Sequence, residues 1–227
     1  MNLREVTKKT KAKHGKWYSD ACGTAFAMEL VGERWALLII RELMFGPRRF
    51  SDLRTSLPGI SAKVLTERLA GLADAGVLVR RKLPPPAAAQ VYELTQWGYR
   101  AEPLIQELGR WAAMSGAHDP TLPLSPISFM LSLRTMFDPV KAGEWRARIG
   151  FRFADVVFTG TVENGAFTVK REEPVDTDAV FSAPEASPLA AMVYLGMPAS
   201  DVGVEMTGNR EAARRFMTLF DLPEQIG

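Results

Sequence analysis

The feature that most constrains the fold of this chain is a Pro-Gly pair between two short amphipathic segments. Pro58 has no N–H and disfavours helix in the residue before it, so a helix that begins near Phe50 must end near Ser56. Ser61 is a good N-cap for a second helix, because its hydroxyl can accept a hydrogen bond from a free first-turn N–H. The sequence therefore predicts a helix, a tight turn and a second helix.

The second predicted helix has two different faces. Three leucines at helical spacing form one apolar stripe, namely Leu65, Leu69 and Leu72. The side chains expected on the opposite, exposed face are Lys63, Thr66, Glu67 and Ala70. Gly76 suits the left-handed residue that ends a helix.

A basic hairpin is predicted next. Its first strand begins at Val77 and finishes on Arg80, Arg81 and Lys82, and Gln90 to Leu94 form the return strand. Between them, Pro84–Pro86 and Ala87–Ala89 make a stiff apolar tip. Helix, turn, helix and basic hairpin is the layout of a winged helix-turn-helix, in which the second helix enters the major groove and the wing follows the phosphate backbone. An ordinary helical hairpin with a solvated charged face is the alternative.

This layout assigns the predicted contacts to double-stranded DNA. Lys63 and Thr66 are expected at base edges, with Ser61 and Glu67 beside them on the same surface. The cations expected at phosphates are Arg48 and Arg49, at the start of the first helix, and Arg81 and Lys82, in the wing.

Charge is divided unevenly along the chain. Residues 1–120 contain 18 Lys and Arg against 12 Asp and Glu, whereas residues 121–227 contain 10 against 14. This asymmetry indicates that only the first half meets nucleic acid. Residues 1–19 are predicted to be a basic flexible tail, which either lies on phosphates or only aids solubility; its lysines are Lys8, Lys9, Lys11, Lys13 and Lys16.

Further helices are predicted on both sides of the hairpin motif. One runs from about Thr24 to Val31, and another from Arg34 to Phe45 buries Trp35, Leu38, Ile39 and Leu43. After the wing, Thr95 can cap a long helix that reaches about Met114. Its apolar stripe, Leu104, Leu108 and Trp111, is expected to pair with the same helix of a second copy, as a palindromic operator requires.

Several spaced motifs resemble HxlR-type transcriptional regulators. They are Cys22, Gly-Glu-Arg-Trp-Ala-Leu-Leu-Ile-Ile-Arg-Glu-Leu (32–43), Gly-Pro-Arg-Arg-Phe (46–50), Gly-Ile-Ser-Ala-Lys-Val-Leu-Thr-Glu-Arg-Leu (59–69), Gly-Val-Leu (76–78) and Tyr-Glu-Leu-Thr-Gln-Trp-Gly (92–98). The resemblance implies a dimeric bacterial DNA-binding protein of winged helix-turn-helix fold over residues 20–118, more often a repressor. The wing departs from the family pattern, because Ala87-Ala88-Ala89-Gln90 stands where charged residues are usual.

Cys22 is a candidate redox or electrophile sensor. It opens a predicted helix, where the N-terminal dipole lowers the pKa of a thiol. The matching position in several HxlR-type regulators is a reactive cysteine. The alternative is a small buried core residue, since a free cysteine is among the most often buried residue types.

The second half has a different pattern. Residues 119–126 hold three prolines and are predicted to be a linker. Beyond it, 127–227 alternate short strands with helices, including a hairpin at Asn164-Gly165, which predicts an α+β layer.

Residues 127–222 resemble the sterol-carrier-protein-type fold. The motifs are Phe167-Thr-Val-Lys, Asp178-Ala-Val-Phe, Leu189-Ala-Ala-Met-Val-Tyr-Leu-Gly and Val204-Glu-Met-Thr-Gly-Asn-Arg-Glu-Ala-Ala-Arg-Arg-Phe. The resemblance implies a cavity for an apolar ligand. The residues that would line it are Phe151, Phe153, Phe158, Phe167, Phe181, Met192, Met206, Phe216 and Phe220, although the same residues could simply fill a core.

Several chemistries are not indicated by the sequence. One cysteine and two histidines, His14 and His118, cannot assemble a metal cluster, and no phosphate-binding glycine loop appears. We therefore expect no cofactor and no enzyme activity. No apolar run is long enough to span a membrane and no secretion signal is recognisable, so we expect a cytoplasmic protein.

Two functions from different classes remain open. The first is a dimeric DNA-binding transcriptional regulator, of α+β fold overall, that responds to a small apolar ligand held in its C-terminal domain. The second is a carrier of hydrophobic ligands whose N-terminal half serves only dimerisation.

Overall fold

The computed structural model describes residues 15–86 and 88–226. Residue contacts divide the chain into two units, Met1–Pro103 and Leu104–Gly227. Parts of the sequence predictions lie outside the described residues, namely Lys8, Lys9, Lys11, Lys13 and His14 of the predicted basic tail and Ala87 of the predicted wing tip.

The first unit combines helices with a two-stranded antiparallel sheet. Its elements in chain order are α1 (Gly23–Val31), α2 (Ala36–Glu42), α3 (Phe50–Ser56), α4 (Ala62–Asp74), β1 (Leu78–Lys82), β2 (Gln90–Leu94), α5 (Gln96–Tyr99) and α6 (Glu102–Ala113), the last of which spans the division between the units. Leu78 lies opposite Leu94 in the sheet, and Lys82 lies opposite Gln90. The winged helix-turn-helix arrangement predicted from the sequence is present.

The turn between α3 and α4 forms where the Pro-Gly pair predicts it. The Ile60 N–H donates to the Leu57 carbonyl oxygen over 3.2 Å, which closes the turn. Gly59 has a φ of +91°, a conformation that a side chain with a Cβ rarely adopts. The chain therefore turns within four residues between α3 and α4.

The first unit differs from the sequence predictions at two helices. α2 begins at Ala36 rather than Arg34, because Trp35 has a φ of 80° and cannot belong to a right-handed helix. Leu38, predicted to be buried, is 38% exposed. The helix predicted from Thr95 to Met114 is two helices, since Pro103 has no N–H to bond the carbonyl of Tyr99.

The second unit is an α+β layer. Its elements after α6 are α7 (Pro126–Met136), α8 (Pro139–Ala142), β3 (Ala147–Arg152), β4 (Val157–Glu163), β5 (Ala166–Lys170), β6 (Ala179–Ser182), α9 (Ala186–Leu195), α10 (Ala199–Val202), β7 (Glu205–Gly208) and α11 (Arg210–Met217). Pro126, assigned to the linker from the sequence, is the first residue of α7, and Ser125 caps that helix. The sequence predicts one strand from Val202 to Met206, but β7 begins only at Glu205, because α10 extends to Val202.

The sheet of the second unit has the strand order β5-β4-β3-β6-β7. All neighbours are antiparallel except β3 and β6, which are parallel. The β4–β5 hairpin turns on Asn164 and Gly165, both with positive φ, as the Asn-Gly pair predicts. One face of this sheet carries the large aromatic side chains.

The opposite face of the sheet is partly covered by the segment that joins β5 to β6. Arg152 forms an ion pair with Glu173 at 2.5 Å, and the Thr159 hydroxyl donates to the carbonyl oxygen of Glu173 over 3.4 Å. A Cβ added to Gly150 would lie 2.7 Å from Cβ of Pro174, so this close approach requires glycine.

Within residues 15–86 and 88–226, no helix is long and apolar enough to cross a membrane.

Candidate nucleic-acid interface

Helix α4 is fixed to the first unit by its apolar stripe and its cap. Leu65, Leu69 and Leu72 are buried, and burial of each leucine contributes about 2 kcal/mol. The Ser61 hydroxyl accepts the Val64 N–H over 3.2 Å, which satisfies a first-turn N–H as predicted. The helix is therefore held from one side only.

The other side of α4 is exposed. Lys63, Thr66, Glu67 and Ala70 all lie there, as the helical period predicts. The Thr66 hydroxyl donates to the Ala62 carbonyl oxygen over 2.9 Å. Among the described residues, no hydrogen bond or ion pair occupies the side chain of Lys63 or Glu67.

The orientation of α4 is also fixed by an arginine that the sequence did not single out. The Arg68 guanidinium forms an ion pair with Glu33 at 2.7 Å and donates to the Arg34 carbonyl oxygen over 3.2 Å. Glu33 and Arg34 belong to the turn between α1 and α2, in which Trp35 takes its positive φ. No local sequence signal predicts these contacts, because the partners are more than 30 residues apart.

The two arginines before α3 have different environments. Arg48 forms an ion pair with the fully buried carboxylate of Glu42 at 3.2 Å, and its backbone pairs with Tyr92 through hydrogen bonds of 3.0 and 2.8 Å. Arg49 is exposed at the N-terminus of α3. The structure thus gives Arg48 a partner inside the first unit, while Arg49 faces solvent.

The wing strand β1 presents three consecutive cations. Arg81 forms an ion pair with Glu93 across the hairpin, and hydrogen bonding to that carboxylate raises the pKa of Arg81. Arg80 and Lys82 are exposed, and no ion pair of either side chain occurs in the described part of the chain. Arg80 was not among the predicted contacts, although its place between Val79 and Arg81 is a signal that could have identified it.

A family profile described as HxlR-like helix-turn-helix matches residues 30–119. The HTH-type transcriptional regulator YodB of Bacillus subtilis is 40% identical over 86 residues, which are 38% of this chain and 77% of YodB. The chain belongs to the HxlR-like helix-turn-helix family.

A further relative and a solved structure are also similar to part of the chain. The uncharacterized HTH-type transcriptional regulator YtfH of Escherichia coli is 29% identical over 113 residues, which are 50% of this chain and 90% of YtfH. Among solved structures, the reduced form of YodB from B. subtilis is 35% identical and covers 44% of this chain and 100% of its own, with a TM-score of 0.39. These relatives are transcriptional regulators rather than enzymes, and so is the family to which this chain belongs.

Cys22 precedes the HxlR-like match and is exposed. It stands at the N-cap position of α1. The amide and hydroxyl of Thr24, followed by the amide of Ala25, lower the pKa of the Cys22 thiol, although Sγ forms no capping hydrogen bond of regular geometry. The alternative of a buried core cysteine is wrong, because the side chain faces solvent.

The aromatic residues predicted to line a ligand pocket lie outside the HxlR-like match and contact one another. We call Phe151, Phe167, Phe181, Phe216 and Phe220 the aromatic cluster; all five are buried. Phe216 is central, with ring centroids 4.8 Å from Phe220 and 5.4 Å from Phe167.

The remaining predicted pocket residues lie around this cluster. The ring centroids of Phe153 and Phe158 lie 6.2 Å apart, and both side chains are buried, as is Met192. Met206 is half-buried on β7. A separate open depression of about 330 Å³ lies at the β3–β4 turn, and Phe153 is the one predicted pocket residue among those that line it. The aromatic rings therefore occupy the space between the sheet and α11 themselves.

Proposed function

We propose that this protein is a DNA-binding transcriptional regulator that binds a palindromic operator as a homodimer. The observation that carries the proposal is the exposed face of α4, which holds Lys63, Thr66 and Glu67. Within the described chain, the side chains of Lys63 and Glu67 form no hydrogen bond or ion pair, and the Thr66 hydroxyl donates only to the backbone of its own helix. A helix held by one buried stripe and open on the other side has the form required to enter a major groove.

Phosphate contacts are proposed for the cations that flank this helix. Arg49, Lys82 and Arg81 are exposed on the first unit, and Arg80 lies beside them in the wing strand. Ser61 belongs to the same surface through its exposed position at the start of α4. For Arg48 we propose a positioning role, because its guanidinium is held by Glu42 and its backbone ties the start of α3 to β2.

The homodimer is proposed from the outer face of α6. Leu104, Leu108 and Trp111 recur at helical spacing and are 67%, 47% and 70% exposed. An apolar stripe of this kind on an exposed helix marks an interaction surface. Two copies joined through a two-fold axis would present two α4 helices to two half-sites.

The sign of regulation that we propose is repression, because the HxlR-type regulators that this sequence resembles are more often repressors. For the second unit we propose a sterol-carrier-like layer that binds a small apolar ligand. This is supported by the order of hairpin, strand, helix and C-terminal capped helix, which follows the predicted pattern. Because the aromatic cluster fills its own space, ligand binding there requires these rings to separate.

A second candidate function is regulation through Cys22. It is favoured by the exposure of the thiol and by its lowered pKa, both of which increase reactivity toward oxidants and electrophiles. This candidate is compatible with DNA binding, since it concerns the signal rather than the target.

The test of the main proposal is a gel-shift titration, at fixed salt, of the DNA that lies upstream of the gene encoding this protein. The native protein should give discrete retardation, and Lys63→Ala should weaken it about tenfold. Lys170→Ala removes an equivalent exposed charge from the second unit and should leave binding unchanged. Absence of retardation for the native protein at low salt would refute the proposal and favour the carrier alternative, for which native mass spectrometry should then reveal a co-purified apolar molecule.

The dimer is tested separately. Leu108→Asp places a carboxylate in the exposed stripe and should convert a dimer to a monomer in light-scattering measurements, because an unpaired charge in an apolar interface is costly. A native protein that is monomeric at micromolar concentration contradicts this part of the proposal alone.

A further inference from the structure

The exposed face of α4 carries side chains of three different hydrogen-bonding characters. At about 100° per residue, positions 63, 66, 67 and 70 fall within one narrow arc of the helix, opposite the buried leucines. The two alanines on or beside this arc, Ala62 and Ala70, are exposed and small. They allow the helix backbone to approach the base edges of a major groove closely. The side chains that then reach the bases are those of Lys63, Thr66 and Glu67.

Each of the three longer side chains offers a different group. The Lys63 ammonium has donors only, and the Glu67 carboxylate has acceptors only. The Thr66 hydroxyl donates its hydrogen to the Ala62 carbonyl oxygen, so Thr66 offers its methyl group and an acceptor oxygen but no donor. Lys63 and Glu67 stand four residues apart, but no ion pair between them forms in the described chain.

A carboxylate on this face requires an explanation. Phosphates repel it, so Glu67 reduces the general electrostatic attraction of α4 for a nucleic acid. Its place is explained if it accepts a hydrogen bond from a base, since the cytosine N4 amino group is a donor that a carboxylate recognises in the major groove. The neighbouring Arg68 does not neutralise this role, because its guanidinium is held by Glu33 and Arg34.

Lys63 and Thr66 match two other bases. Guanine presents two acceptors, O6 and N7, to a donor such as Lys63, and thymine presents a methyl group for apolar contact with the methyl of Thr66. Resting on the proposed function, we infer that each operator half-site contains a guanine read by Lys63, a thymine read by Thr66 and a cytosine read by Glu67. Glu67 is the residue that gives α4 its selectivity at a cost in affinity.

The test is selection from a random double-stranded DNA library, followed by sequencing, with the native 227-residue chain and with Glu67→Gln. The native protein should enrich half-sites that contain the three bases. Glu67→Gln should lower the preference for cytosine at one position about tenfold and shift it toward adenine, whose N6 and N7 pair with an amide. The other positions should keep their bases.

The matched control is Asp74→Asn, which removes the same charge from the same helix. Asp74 is exposed at the C-terminal end of α4, beyond the half that enters the groove. Comparison of the two variants separates base recognition from simple loss of a negative charge. If both variants gain affinity equally for all sequences and keep the native motif, the assignment of Glu67 is refuted while the proposed function stands.

A second pair of variants tests Thr66. Thr66→Val keeps a methyl and loses the hydroxyl, so it should retain the preference for thymine. Thr66→Ser keeps the hydroxyl and loses the methyl, so it should lose several-fold of that preference. The reverse result overturns the methyl contact. If the native protein enriches no duplex at low salt, both the inference and the proposed function fail.

Discussion

The exposed face of α4 and the aromatic cluster of the second unit are both dense groups of distinctive side chains. On α4, Lys63 and Glu67 face solvent, because burial of an unpaired charge costs far more than a helix can recover. In the aromatic cluster, rings such as Phe216 and Phe167 are buried against each other. The first group therefore remains available to a partner, whereas the second has already found its partners within the chain.

The largest effect that distinguishes the two regions is expected from Phe216→Ala. This change removes the ring at the centre of the cluster and should lower the free energy of unfolding by about 3–5 kcal/mol. Hydrogen exchange should show lost protection in β3–β6 and retained protection in α2–α4.

The control for Phe216→Ala is Met217→Ala, at the half-buried neighbour on α11. It should cost clearly less than the removal of Phe216. If Phe216→Ala costs less than about 1 kcal/mol, the cluster is loosely packed, and a ligand pocket becomes the better description of this region.

The next largest effect is expected from Glu42→Gln. The Arg48 guanidinium would lose its buried charged partner, so the free energy of unfolding should fall by about 2 kcal/mol in chemical denaturation. Glu33→Gln weakens the exposed pair with Arg68 and should cost well under about 1 kcal/mol. Equal losses of stability in the two variants would show that the buried pair of Arg48 with Glu42 stabilises the fold no more than the exposed pair of Arg68 with Glu33.

A smaller effect is expected from Lys82→Ala in the wing. Loss of one phosphate contact should weaken binding to all DNA sequences by a similar factor. It should also reduce the slope of log affinity against log salt concentration by about one. The salt dependence is measured by fluorescence anisotropy with a labelled duplex. Lys170→Ala, in the second unit, should leave the slope unchanged, and a change there would extend the nucleic-acid interface beyond the first unit.

The smallest effect concerns the Cys22 thiol. Thr24→Ala removes a hydroxyl that lowers the pKa of Cys22, so this pKa should rise and less thiolate should be present at neutral pH. Alkylation by iodoacetamide, followed as a function of pH, should therefore slow near neutrality and recover at high pH. An unchanged profile would show that the backbone amides alone set the reactivity of this sulfur.

Much of the first unit could be predicted from the sequence, because its signals are local. Pro58, Gly59 and Ser61 define the turn and the cap of α4, and leucine spacing defines its buried face. Arg48 and Arg49 show where this approach ends. They are adjacent residues of the same type, and only the fold reveals that Glu42 holds one of them.

The second unit was harder to predict, since its order depends on contacts between distant residues. The parallel pairing of β3 and β6 has no local signal. The short helix α8 was not predicted, although Asp138 caps it and Pro139 is its first residue. α10 ends at Val202, the residue at which a strand was expected to begin. Aromatic spacing identified the buried residues but could not show whether they surround a cavity or fill it. That distinction depends on how rings from five separate elements fit together.

One further use follows from the single cysteine at the start of α1. Because the chain holds one sulfhydryl and it is exposed, a nitroxide or fluorophore attaches at one defined point without mutagenesis. In an assembly of two copies, pulsed electron paramagnetic resonance would measure the distance between two nitroxide probes. That distance would report how far apart the two α4 helices lie.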